Sequence, residues 1–168
     1  MNLVLIGYRG TGKSTVARLL SKKLGMEVVS LDQEIVRHAN RSISEIVAAH
    51  GWPYFRGLES EVTKRICARD HIIIDAGGGV ILRPENVENL RRSGKLFWLR
   101  ASVPVIVARI ERGTERPALT AGKSFTEEVE EVLRERTPLY EAAAHRQVDT
   151  DALSPEQVAA EIARLYAA

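Results

Sequence analysis

The pattern that most constrains this chain is Gly7-Tyr8-Arg9-Gly10-Thr11-Gly12-Lys13-Ser14, which fits G-x-x-x-x-G-K-[ST] without a mismatch. It follows an apolar run, Leu3-Val4-Leu5-Ile6, and opens a segment in which Val16, Ala17, Leu20 and Leu24 share one helical face before Gly25. A strand, a glycine turn and a helix in that order form a cradle for anions. Gly7, Gly10 and Gly12 let the backbone turn tightly and aim its N–H groups inward, and the helix N-terminus adds partial positive charge. Lys13 is expected to reach the β and γ phosphates, and the Ser14 hydroxyl to ligate Mg2+. A mere glycine turn before a helix explains neither residue. The loop therefore predicts ATP binding through Gly10, Thr11, Gly12, Lys13, Ser14 and Thr15, with Mg2+ as cofactor. By itself it names no reaction. A regulatory GTPase, a motor or transport ATPase and a small-molecule kinase all carry such a loop. No N-K-x-D motif for reading a guanine base is present, and 168 residues are few for a motor.

The rest of the chain reads as one domain, residues 1–168, with no repeat, linker or low-complexity tract. Expected strands are Asn2–Ile6, Glu27–Ser30, Ile72–Asp75, Lys95–Leu99 and Arg146–Asp149. Expected helices run over Lys13–Leu24, over Glu59–Arg69, from Pro84 to Gly94, from Pro104 to near Gly113, and from the Ser154-Pro155-Glu156-Gln157 capping box onward. The acidic run Glu127 to Glu135 reads as a solvated helix face. Strand alternating with helix predicts a three-layer α/β/α fold around a five-stranded parallel sheet. Ligands of such sheets bind beyond the carboxyl ends of the strands. The net charge of +2 gives no reason to expect nucleic acid, and no apolar run approaches a membrane span or a signal segment, so a cytoplasmic protein is expected. Arg outnumbers Lys by 18 to 6, and Arg is the better residue for forked contacts to phosphate and carboxylate. Cys67, the single cysteine, excludes an intrachain disulfide and reads as a buried thiol. The four histidines show no ligand spacing, so no metal beyond the nucleotide's Mg2+ is expected.

Three features fall where a second substrate would sit. Asp32 closely follows the second strand, Phe55-Arg56-Gly57-Leu58-Glu59 starts a helix, and Gly77-Gly78-Gly79 follows the third strand. Taken singly, each has a plainer reading: Asp32 as a helix N-cap, Arg56 as a surface arginine paired with Glu59 or Glu61, the glycines as a flexible turn. Residues 111–124, with two glycines, several charges and no apolar periodicity, suit either a closing lid or an ordinary surface loop.

Taken together, these segments resemble the shikimate kinase family over essentially the whole chain. The resemblance rests on an ordered set: the phosphate loop, an acid 19 positions after Lys13, Arg41-Ser42-Ile43, F-R-x-x-E, the triple glycine, Arg116-Pro117, the Arg-x-Pro-Leu-Tyr stretch from Arg136 to Tyr140, and Val148-Asp149-Thr150 with Pro155 beyond it. It implies a P-loop fold like that of nucleoside monophosphate kinases, with a mobile lid at about 111–124 and an acceptor-binding region at about 32–60. It implies phosphorylation of the 3-hydroxyl of shikimate in aromatic amino acid biosynthesis, by a monomer whose partners are ATP and this small anionic polyol. Asp32 would hold the ring hydroxyls and take the proton of the reacting one. Arg56 and Arg136 would bind the carboxylate and Glu59 would orient Arg56. Gly77, Gly78 and Gly79 would contact the substrate, the last two donating backbone N–H groups to it or to the γ-phosphate. Arg116 would close with the lid over the transferring phosphoryl group, and Arg109 and the segment around Pro155 would flank the adenine.

Two departures qualify that pattern. The family usually has a D-x-D pair at the second strand, and here its first position is Ser30, which supplies no charge to help hold Mg2+. Asp75, ending the third strand just before the glycines, is the expected substitute through water; a cap on the turn is its plainer role. Where the family tends to have Gly-Glu, this chain has Gly51-Trp52, with Trp52 either altering the wall of the acceptor pocket or packing over the core. Competing expectations are a related kinase for gluconate or a nucleoside monophosphate, and a nucleotide-binding regulator that has lost catalysis.

Overall fold

The computed structural model describes residues 1–110 and 124–168. Its five strands are β1 (Asn2–Ile6), β2 (Glu27–Ser30), β3 (Ile72–Asp75), β4 (Gly94–Arg100) and β5 (Arg146–Asp149), all parallel in the order β2-β3-β1-β4-β5. The helices are α1 (Lys13–Leu24), α2 (Leu31–Ala39), α3 (Ile43–His50), α4 (Trp52–Cys67), α5 (Pro84–Ser93), α6 (Val103–Ile110), α7 (Phe125–Ala143) and α8 (Pro155–Ala167).

The side-chain alternation of a strand divides the core in two. Leu3 and Leu5 of β1, with Ile73, Phe97 and Leu99, face a layer built from Val16, Ala17 and Leu20 of α1 and Val158 and Ile162 of α8. Val4 and Ile6, with Ile74, Leu96 and Trp98, face Ile35, Phe55, Val62, Leu90, Ile106, Val129 and Tyr140 from the helices of the opposite face. This is the expected three-layer α/β/α sandwich. Because β1 is central, the loop after it is flanked by the carboxyl ends of β3 and β4, and the cavity there is lined by the phosphate loop, Asp32 and the start of the triple glycine.

All five strands stand where the sequence predicts them, β4 extending one residue further at each end. The helices between β2 and β3 differ. The sequence predicts one helix over Glu59–Arg69, whereas three helices fill this stretch and α4 begins at Trp52. The capping residues explain it. Ser30 ends β2 and at once caps α2, its side chain accepting from the Gln33 N–H, so no loop separates strand from helix. Asn40 ends α2 in the left-handed conformation, and Ser42 with Glu45 forms a capping box that starts α3. Asp32 is thus not the N-cap but lies in the first turn of α2. The acidic run of α7 is only partly solvated, since Glu128 is buried with Val129 and Val132.

Asn2 is a fully buried polar residue at the opposite end of the sheet. Its side chain donates to the Arg69 carbonyl at 2.9 Å and accepts from the Ile72 N–H at 3.0 Å, tying the entry of β3 to β1. Asn2→Ala leaves both backbone groups unpaired, which is expected to cost roughly 2 kcal/mol or more and to lower Tm by about 5 °C in a thermal unfolding measurement.

Candidate active site

The phosphate loop turns as its glycines require: Gly10 and Gly12 hold φ of 81° and 91°, a region closed to most side chains. Within the loop the Thr11 hydroxyl donates to the Tyr8 carbonyl at 2.8 Å. The Lys13 ammonium donates to the carbonyls of Gly7 and Tyr8 at 2.8 and 3.0 Å, which anchors it at the mouth of the loop. A cavity of about 280 Å³ opens there. It is lined by the loop, by Ser30 at the end of β2 and Asp32 just beyond it, and by Asp75 at the end of β3 with the residues up to Gly78.

Ser14 and Asp75 meet in this cavity. The Ser14 hydroxyl donates to Asp75 Oδ2 at 2.7 Å. Burial pushes the Asp75 carboxyl above its usual range, while the Lys13 ammonium and the Ser14 hydroxyl draw it back. Ser30 and Asp75 are register partners on adjacent parallel strands. A carboxylate on β3 thus stands beside the β2 position that lacks one. Two hard oxygen donors side by side, with room for water, suit Mg2+, which binds few protein ligands and retains several waters.

The residues expected to bind the acceptor gather around the triple glycine. Starting α4 at Trp52 places Trp52, Phe55, Arg56 and Glu59 on one helical face, at i, i+3, i+4 and i+7. Arg56 Nη1 donates to Glu59 Oε1 at 3.0 Å. The guanidinium carbon of Arg56 also lies 5.2 Å from the Trp52 ring centroid and 5.3 Å from that of Phe55. Trp52 packs edge-on against Phe55, so it both covers the core and walls Arg56 in. Glu59 is almost wholly buried; desolvation raises its carboxyl, and the Arg56 charge opposes that rise. On α7, Arg136 is buried with its guanidinium carbon 5.9 Å from the Tyr8 ring centroid. One turn on, the Tyr140 hydroxyl donates to the Gly78 carbonyl and is pushed up to about 12 by burial.

Each glycine faces a different one of these groups. A Cβ on Gly77 would stand 3.0 Å from Glu59 Oε2 and 3.1 Å from Asp32 Oδ1; on Gly78, 3.6 Å from Arg136 Nη1; on Gly79, 2.3 Å from Arg56 Nη1. The close approach that the sequence suggests is therefore, first of all, an approach to the protein's own side chains. Arg56, Glu59, Gly79 and Arg136 do not line the 280 Å³ cavity; they continue from it through Gly77 and Gly78.

Arg109 and Pro155 stand apart from the cavity lining. Arg109 donates to the Gly10 carbonyl at 3.1 Å and to the Thr150 hydroxyl at 3.5 Å, so it joins α6 to the phosphate loop and to the turn after β5. Pro155 is exposed in the first turn of α8. Arg116 and the lid expected over residues 111–124 lie outside the described residues, save Ser124, which caps α7. Cys67 is half-buried, and burial raises its thiol. Sequence reasoning passes over Arg9, because it fills an unspecified position of the loop pattern; in the fold it lines the cavity.

The family model described as shikimate kinase matches residues 9–167. A shikimate kinase of Thermodesulfovibrio yellowstonii is 42% identical over 165 residues, covering 98% of this chain and 94% of that one. A shikimate kinase of Nitratidesulfovibrio vulgaris is 42% identical over 151 residues, covering 88% and 86%. Among solved structures, a shikimate kinase from Acinetobacter baumannii in complex with shikimate superimposes with a TM-score of 0.92 at 31% identity, covering 98% of this chain and 91% of the other. That of Aquifex aeolicus gives 0.82 at 29% identity, covering 98% and 95%. With the match spanning nearly the full length in sequence and in fold, the chain belongs to the shikimate kinase family.

Proposed function

We propose that this protein transfers the γ-phosphoryl group of ATP to the 3-hydroxyl of shikimate. The observation that carries the reading is the triple-glycine turn, where Asp32, Arg136 and the Glu59-paired Arg56 converge beside the phosphate loop. Two guanidinium forks and a carboxylate around a narrow backbone turn suit a small acid bearing several hydroxyls. The strong structural likeness to the shikimate-bound relative supports the same acceptor.

In this reading the loop N–H groups and Lys13 hold the β and γ phosphates. Ser14 and Asp75 would hold Mg2+. Bound there, Mg2+ supplies positive charge to the phosphate oxygens. Arg56 and Arg136 bind the acceptor carboxylate, with Glu59 and the Trp52 and Phe55 rings fixing the Arg56 fork. Asp32 aligns the hydroxyl and accepts its proton. Reaction then needs mainly positioning and neutralised charge. Arg116 would close over the phosphoryl group, and Arg109 with the Pro155 segment would flank the adenine. The loss of charge at Ser30, which favoured a non-catalytic regulator, is offset by Asp75 at the adjacent register position. Among the described residues no helix is long and apolar enough to cross a membrane. A monomeric cytoplasmic enzyme with only small-molecule partners is the accompanying proposal.

The direct test offers purified protein ATP, Mg2+ and either shikimate, gluconate or a nucleoside monophosphate in a coupled ADP assay. ADP release with shikimate alone is expected; release with another acceptor and none with shikimate overturns the reading. Gly79→Ala provides a second test. The new methyl would collide with the flexible end of Arg56 rather than with backbone, so the fold should survive while the fork is displaced. The KM for shikimate is expected to rise about 10-fold or more, with the KM for ATP little changed. A third test concerns Asp75. Asp75→Asn is expected to raise the Mg2+ concentration needed for half-maximal ATP binding by about 10-fold, as found for losses of metal-supporting groups. Adding Ser30→Asp to that variant should restore it, because the carboxylate returns one strand away. An unchanged Mg2+ requirement in Asp75→Asn would remove Asp75 from the metal site.

A further inference from the structure

Arg9 is the third residue of the phosphate loop, and its surroundings differ from those of the arginines that brace the fold. Arg56 has Glu59, Arg109 has the Gly10 carbonyl, and Arg91 has the Ala143 carbonyl. Arg9 lines the cavity with Lys13, Ser14, Asp32 and Asp75, yet its Nε and Nη1 are buried with no hydrogen-bond acceptor among the described residues. Its recorded neighbour is the face of Phe125, the first residue of α7, 5.8 Å from the guanidinium carbon. A ring face attracts a cation but offers no lone pair to an N–H.

A guanidinium is a permanent cation. Holding one half-buried with two donors unpaired is costly, and its removal should favour the folded state. Such a group persists where a ligand brings the missing acceptors. The cavity beside Arg9 is the one its own loop builds for phosphates. On the other side, the backbone N of Arg9 lies 3.5 Å from where a Gly78 Cβ would stand, so the residue is also next to the acceptor turn. It therefore occupies the boundary between donor and acceptor, where the phosphoryl group passes.

We infer that Arg9 is a catalytic residue that donates to the equatorial oxygens of the transferring phosphoryl group. This rests on the kinase reading given above. In that step the bond from phosphorus to the β-phosphate oxygen breaks, its electron pair staying on ADP. The bond to the acceptor oxygen forms, and the hydroxyl proton passes to Asp32. Rotation about the Arg9 side chain brings its unpaired N–H groups onto the oxygens, which carry the spread charge of the transition state. Lys13, held by the loop carbonyls, serves the β and γ phosphates from the loop mouth, while Arg9 serves the acceptor-facing side.

The experiment compares Arg9→Met and Arg9→Lys with the wild type in three measurements: steady-state rate, thermal unfolding, and affinity for ADP alone against ADP with Mg2+, aluminium fluoride and shikimate, which together mimic the transferring group. Arg9→Met is expected to lower kcat about 100-fold, the scale of a lost transition-state donor, while ADP affinity stays within about twofold. Affinity for the aluminium fluoride complex should fall in step with kcat. Met fills similar space without the unpaired charge, so this variant should unfold at a higher temperature than the wild type. Arg9→Lys, which keeps the charge but not the fork, should fall between the two in rate and in aluminium fluoride affinity. If the affinities for ADP and for the aluminium fluoride complex drop equally in both variants, or if neither drops, Arg9 is not catalytic. A wild-type enzyme without shikimate-dependent ADP release overturns the kinase reading instead. An active wild type with an equally active Arg9→Met enzyme overturns only the role of Arg9.

Discussion

The site depends on the fit of three side-chain-free residues among charged groups. At Gly79 the Arg56 guanidinium occupies the space of a Cβ, at Gly78 Arg136 closes in, and at Gly77 Asp32 and Glu59 do. These groups come from α2, α4 and α7, so the turn after β3 is the common wall against which three helices register their functional residues. A side chain at Gly77 or Gly79 would press on these groups, whereas at Gly78 it would meet only ordinary contact. The geometry of the proposed acceptor site is thus set by how closely backbone and charge can pack.

The charges so assembled are supported unequally. Arg56 is the most restrained, with a buried carboxylate at 3.0 Å and two aromatic rings around its fork. A charged group held in this way loses little conformational freedom on meeting a carboxylate, which is the physical meaning of preorganisation. Glu59 bears a desolvation penalty for that service. Asp75 bears a similar one beside Ser14. Arg9 is less supported, with Nε and Nη1 unpaired among the described residues. In the proposed mechanism stability is given up where charge must be ready before the substrate arrives.

Ser30 and Asp75 stand as register partners on adjacent parallel strands. Adjacent strands are about 5 Å apart and end at the same crevice, so in the proposed mechanism a carboxylate on either one could serve the same metal. The serine here caps α2 and lets strand pass into helix without a loop. That cap fixes the phase of α2, and with it the position of Asp32 at the cavity.

Much of this was legible in the sequence. β1, β3 and β4 were readable because parallel strands buried on both faces give short apolar runs, whereas the edge strands β2 and β5 each bury one valine, Val29 and Val148. The phosphate loop was readable because its glycines, Lys13 and Ser14 sit at spacings set by the chemistry of a phosphate. The family resemblance selected Asp32, Arg56 and Arg136. The sequence did not reveal α2 and α3, since Ser30, Asn40 and Ser42 join short helices through caps rather than visible loops, nor the true start of α4, on which the alignment of Trp52 with Arg56 depends. Only the tertiary structure decided which group each glycine faces, which strand supplies the carboxylate for Ser14, and that Arg9 stands without an acceptor among the described residues. Those outcomes depend on distances between segments far apart in the chain. Local sequence specifies the periodicity of each element, but the packing of helices on a sheet determines which charges meet.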